Sequence, residues 1–234
     1  MAIASCTLTR ITILLEENLM PVTKSNRALL VVSNLTKLGR SDLKWLYQFL
    51  DGAGIDLAER LMSPQYGTVE KLVGSQATKN GFITTVSSLG SSQAVRAIDV
   101  IVNLHGANNQ LFFEDGGVST SSLKNDLLAL NLGSKLRLLY STACYGRSHA
   151  DDFVASGFSA ASGAVGVNAN SATEYPIVLT MWAAGAKFRD AISVGENVLT
   201  REPSDELAKL MGFPDANSDK VIHGNGAITI NSDA

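Results

Sequence analysis

The chain has 234 residues, enough for one substantial core, and its 45% hydrophobic and 18% charged residues exclude a disordered protein. A formal net charge of -3 and an isoelectric point near 5.6, with Lys and Arg scattered along the chain, supply no basic field and argue against a nucleic-acid partner. No apolar run reaches the roughly 20 residues a bilayer requires. Glu16 and Glu17 interrupt the stretch 11–19, which also lacks the basic start and cleavage site of a secretory leader. The expectation is a cytoplasmic protein with no membrane partner, one domain over 1–234, with 1–25 as an N-terminal extension.

In chain order, residues 27–33 form a short continuous apolar run of the kind buried on both faces of a parallel sheet. Ser41 then caps a helix carrying Leu43, Leu46, Tyr47 and Leu50, expected to end near Gly52 and Gly54. A weaker stretch holds a strand at 69–73 and a helix at 78–89 with Ile83 and Val86 on its apolar face. Residues 97–104 are the second clear strand and run directly into His105-Gly106. A hairpin at 110–118 turns on Asp115-Gly-Gly117, and Ser121 or Ser122 caps a helix with Leu123, Leu127, Leu128 and Leu130 that stops at Gly133. The third strand, 136–142, delivers Ala143-Cys144-Tyr145-Gly146. Beyond it we expect a helix at 150–157, a loop-like Ser/Gly/Ala-rich stretch at 156–171 with a short strand at 164–168, helices at 175–187 and 188–199, and an edge strand at 225–231. Trp45 and Trp182 fall on apolar helical faces, as core or partner-facing residues. Strands alternating with helices imply an α/β fold with a mostly parallel sheet.

His105 and Cys144 both stand at the carboxyl ends of apolar strands joined by a crossover, the edge at which open α/β sheets bind ligands. A thiolate is a strong nucleophile near neutral pH, and an imidazole beside it lowers its pKa or protonates a leaving amine. Gly106 and Gly146 let backbone approach a substrate closely. His149, five positions after Cys144, is the rival base but reads as a loop residue, and His223 as a surface residue. Cys144, His105 and His149 fall short of the four ligands of a structural zinc site, so no metal is expected. No Gly-x-Gly-x-x-Gly or Walker loop follows any strand, and no cofactor is expected. Asp151 and Asp152 follow the cysteine, either as caps of the next helix or as rim carboxylates of a substrate pocket that select a basic side chain. Cys6 is read as incidental.

The blocks Ile98-Asp-Val-Ile-Val-Asn-Leu-His-Gly106 and Leu136-Arg-Leu-Leu-Tyr-Ser-Thr-Ala-Cys-Tyr-Gly146, with His and Cys 39 positions apart, resemble the caspase-like cysteine peptidase clan: caspases, metacaspases, legumain, clostripain, gingipains, separase and CHAT proteases. Thr142 stands where the caspase signature has Gln, and Tyr145 holds its variable position, so the resemblance is to the clan rather than to caspases proper. It covers residues 97–167 best. The resemblance implies a three-layer caspase-like fold with helices on both faces and a cysteine endopeptidase working through a covalent acyl-enzyme. It implies His105 and Cys144 as the dyad, the backbone N–H groups of Gly106 and Cys144 as the oxyanion hole, and Asn34 as support for the histidine. The implied partner is a protein or peptide substrate, with a regulatory protein or a second copy of the chain also open. The alternative is a non-catalytic or weakly active interaction module on the same fold.

Overall fold

The computed structural model describes residues 21–234, so Cys6 and the stretch 11–19 lie outside the described residues. Three apolar runs form the sheet centre: β1 (Arg27–Asn34), β3 (Ala97–Ala107) and β6 (Leu136–Ser141). With β2 (Thr68–Val73), β7 (Ala160–Ala164) and β8 (Lys220–Gly224), the strand order is β2-β1-β3-β6-β7-β8. Neighbours are parallel except the last pair, β7 with β8. The hairpin β4 (Gln110–Phe113) and β5 (Gly116–Ser119) extends antiparallel from the end of β3.

Period-2 alternation sends successive side chains to opposite faces, where each meets its own helical layer. Ala28, Leu30 and Val32 of β1 join Ile98, Val100, Val102 and Leu104 of β3 in one core. This core lies under α2 (Lys79–Ser91), α3 (Thr120–Ala129) and α4 (Arg147–Ala155). Leu29, Val31, Ile101, Leu138 and Tyr140 pack on the other face against α1 (Lys44–Met62), α5 (Ser171–Ala183) and α6 (Phe188–Gly195). A register shift between Ile98 and Asp99 slips β6 by one residue, so that Leu136 faces the first core and Leu138 the second. This is the expected three-layer α/β architecture with a mostly parallel sheet. A last helix, α7 (Val198–Leu210), reaches the carboxyl edge of the strands. Among the described residues no helix is long and apolar enough to cross a membrane.

Several expectations change. Helix α1 does not stop at Gly52 but runs to Met62, because Gly54 is buried beneath α5, where its carbonyl accepts the Tyr175 hydroxyl at 3.1 Å. Tertiary packing there outweighs the modest cost of a helical glycine. Residues 160–164, inside the stretch read as a loop, form the buried strand β7, whose small side chains let Gly163 lie against the Gly146 backbone. The expected strand at 164–168 is displaced to β7. Helix α7 contains Pro203, which hid it from the sequence, and residues 225–231 form no strand, although Ile228 and Ile230 are buried in the second core. Trp182 is buried, whereas Trp45 is 65% exposed.

At the amino ends of the strands, Asp99 and Arg137 form a fully buried ion pair. The guanidinium donates to both carboxylate oxygens at 2.9 and 2.7 Å and reaches the Ile230 and Ser232 carbonyls. Tyr66 adds its hydroxyl to Asp99, and Trp182 Nε1 donates to Tyr66. Removing one partner of such a pair strands the other charge without solvation. Arg137→Met should therefore lower stability by about 3–5 kcal/mol in urea unfolding. The Arg137→Met/Asp99→Asn double variant should recover part of that loss, since no uncompensated charge remains.

Candidate active site

Strand register sets the site. Asn34 pairs with Leu104, so the next residue of that chain, Leu35, stands level with His105. Ser141 pairs with Val102, and Thr142 N–H donates to the Val102 carbonyl at 2.9 Å, which brings Cys144 to the same edge. His105 and Cys144 both line one cleft of about 470 Å³, walled by Leu43, Leu46 and Tyr47 on one side and by Leu207, Met211 and Phe213 on the other.

The imidazole is fixed by neighbours. His105 Nε2 lies 2.8 Å from the Leu35 carbonyl, and Tyr47 meets the ring edge-on with centroids 4.8 Å apart. A carbonyl only accepts, so Nε2 carries the proton and Nδ1 keeps the basic lone pair. Leu35 is held in turn: its N–H donates to Asp51 Oδ1 at 3.2 Å, and the Ser33 hydroxyl donates to the same carboxylate oxygen at 2.5 Å.

Cys144 is partly exposed at the cleft wall. Burial pushes its thiol pKa up, opposed by the backbone N–H of Asn168, the positive charge of Lys220 and its own backbone N–H. Burial therefore favours the neutral thiol over the lowered-pKa thiolate that the sequence left open. The turn behind it is rigid. Tyr145 adopts φ 56°, a left-handed conformation uncommon for a non-glycine residue, held by its N–H to the Gly166 carbonyl at 2.8 Å and by its hydroxyl to Asp215 at 3.0 Å. A Cβ on Gly106 would run into the Cys144 carbonyl and come within 3.1 Å of Ala143 Cβ, so the two strand ends approach as closely as backbone allows. Lys220 Nζ, buried beside Glu174 at 3.2 Å, donates to the Ser141 carbonyl at 2.8 Å and braces the end of β6.

Other candidates sit elsewhere. Asn34 does not touch His105; its amide donates to the Gly74 carbonyl and Glu114, and the adjoining Leu35 carbonyl is what meets the ring. Neither Asp151 nor Asp152 lines the cleft. Both lie within α4, where Asp151 pairs with His223, and Asp152 accepts from Thr120 at 2.7 Å and Lys124 at 2.5 Å. His149 is not a loop residue: it is buried in the first turn of α4, with Nε2 2.7 Å from the Ala107 carbonyl, and burial holds its pKa down. It braces the end of β3 from behind. Among the described residues no group of three or more His, Cys, Asp or Glu is placed to hold a metal ion. The sequence reading missed Asp51, Asn168 and Lys220, which bear on the site from α1, a loop and β8; no motif marks them.

The fold and site together define an α/β domain with a thiol and an imidazole at adjoining strand ends facing one cleft. No protein-family model matches the chain, and no curated protein matches its sequence. Among solved structures it is similar to a secreted C11 cysteine protease from Bacteroides thetaiotaomicron in complex with an irreversible peptide inhibitor. The TM-score is 0.47 and the identity 12%, covering 75% of this chain and 58% of that chain. The chain thus spans little more than half the length of that protein.

Because burial disfavours the thiolate, alkylation of Cys144 by iodoacetamide should rise with pH through a midpoint above that of an exposed cysteine, ordinarily about 8.5. Stopped-flow alkylation across pH 5–10 measures it. A midpoint below neutral would instead indicate a preformed thiolate–imidazolium pair.

Proposed function

We propose that the chain is a caspase-like cysteine endopeptidase with Cys144 as nucleophile and His105 as acid and base. The observation that carries this reading is the level register of two parallel strand ends, which turns a thiol and a carbonyl-fixed imidazole into one cleft. Nδ1 of His105, the free basic nitrogen, takes the thiol proton as Cys144 Sγ attacks the peptide carbonyl. The backbone N–H groups of Gly106 and Cys144 stabilise the oxyanion of the tetrahedral intermediate. His105 then gives its proton to the departing amine, and water hydrolyses the thioester to free the acid product and regenerate the thiol. A neutral resting thiol suits general-base activation, in which the charge develops only as substrate displaces water from the cleft.

Cys144→Ala and His105→Ala should each cut peptide turnover by orders of magnitude, about 10³-fold or more, while leaving the urea midpoint close to that of the parent. His149→Ala should behave in the opposite way. Loss of a buried ring bonded to Ala107 should lower stability by about 1–3 kcal/mol, read as a lower urea midpoint. Turnover measured well below the transition should stay within about tenfold. A folded His105→Ala protein with full activity would overturn the assignment of the base.

A further inference from the structure

We propose that the pocket beside the cleft, between α1 and α5 at the ends of β1, β3 and β6, is the specificity pocket, and that it selects an uncharged apolar side chain of leucine, methionine or phenylalanine size immediately before the scissile bond. This rests on the peptidase reading above. The pocket and the catalytic cleft share Leu50, Ser171 and Ala172 as walls, so they are contiguous. It also opens at the strand ends that carry the dyad. Leu35, whose carbonyl holds His105, and Thr142, two residues before Cys144, are both part of its lining. A side chain on the residue whose carbonyl meets Cys144 would thus enter it.

The size of the pocket and the chemistry of its wall decide what it takes. Its volume is about 150 Å³, and an apolar cavity of that size holds a benzene-sized group. Phe49, Leu57 and Pro176 make much of the wall, and among the described residues no Asp, Glu, Lys or Arg lines it. The polar groups at its base are engaged with one another. Thr142 Oγ1 donates to Asn103 Oδ1 at 2.9 Å, Asn103 Nδ2 to the Tyr175 hydroxyl at 3.3 Å, and that hydroxyl to the Gly54 carbonyl at 3.1 Å. Burial pushes the Tyr175 hydroxyl pKa up, so this chain of groups stays neutral. Asp51 on α1 is taken up by Ser33 and the Leu35 N–H. Arg40, the charged residue on the wall of the neighbouring cleft, is held by Asp42 and the Met211 carbonyl and lies over the Phe213 ring. An acidic or basic side chain entering the pocket would lose its water and find no counter-charge, whereas an apolar one gains by burial.

The test uses the full chain and a peptide panel that is constant except for the residue before the cut: Leu, Met, Phe, Ala, Asp, Asn and Arg. Apolar medium-sized residues should give kcat/KM at least about tenfold above Asp and Arg. Ala53 lines the pocket from α1, and Ala53→Phe should fill it. That variant should lower kcat/KM for Leu and Phe peptides at least about tenfold, with the Ala peptide kept within about threefold. The iodoacetamide rate of Cys144, measured in parallel, should not change. If Ala53→Phe does not fold, the smaller filling variant Ala53→Leu carries the same prediction. Turnover that favours Asp or Arg overturns the pocket assignment while leaving the peptidase reading intact. Apolar preference untouched by both filling variants overturns it as well, since selection then lies elsewhere. Absence of turnover on every peptide, together with no covalent labelling of Cys144 by an electrophilic peptide, overturns the peptidase reading and the pocket with it.

Discussion

Parallel pairing of β1, β3 and β6 fixes three strand ends at one height, and every feature of the site descends from that register. A strand rises about 3.3 Å per residue and reverses its side chains at each step, so a slip of one residue would exchange faces along the strand. With Asn34 opposite Leu104 and Ser141 opposite Val102, the residues past each pairing reach the same edge: Leu35, His105 and Cys144. The first supplies a carbonyl, the second an imidazole and the third a thiol. The imidazole meets the carbonyl, and the imidazole and the thiol line one cleft.

Two buried charge clusters bracket this register. Asp99 and Arg137 tie the amino ends of β3 and β6 next to the register shift that offsets the two strands. At the opposite end Lys220 from β8 bonds the Ser141 carbonyl and pairs with Glu174, which also accepts from Tyr140. Buried ion pairs add little net stability over apolar residues of similar volume, because desolvation offsets their attraction. Their geometry is demanding, however, and a demanding contact at each end of β6 disfavours a strand shifted along its neighbour. The order of the site is thus maintained by buried groups outside the cleft lining.

The central strands were legible because burial on both faces writes an uninterrupted apolar run, as at 27–33, 97–104 and 136–142. The His-Gly and Ala-Cys blocks were legible because they terminate those runs. Strand β7 was not, since Ala160, Ala161, Ser162, Gly163 and Ala164 are small for a packing reason that resembles loop composition: Gly163 meets Gly146 backbone to backbone. Within α1, Gly52 and Gly54 look like a helix stop in the sequence, and only the tertiary contact with Tyr175 explains the second of them. Asp51 and Lys220 carried no local signal, as their roles depend on contacts with Ser33 and Ser141, 18 and 79 positions away.

Support of His105 is the part that sequence reading is least able to locate, and the reason is chemical. A side-chain support such as Asn34 leaves a residue type to recognise. A backbone carbonyl leaves none, because every residue has one. Leu35 gives its carbonyl to the imidazole and also forms part of the pocket wall, so a single position contributes to the orientation of the His105 ring and to the lining of the pocket. The two contributions are separable in substitution: changing the side chain at position 35 alters the wall while the carbonyl stays. The pocket wall at this edge is therefore free to vary without disturbing the tautomer of His105, provided that Asp51 continues to hold the Leu35 N–H in place.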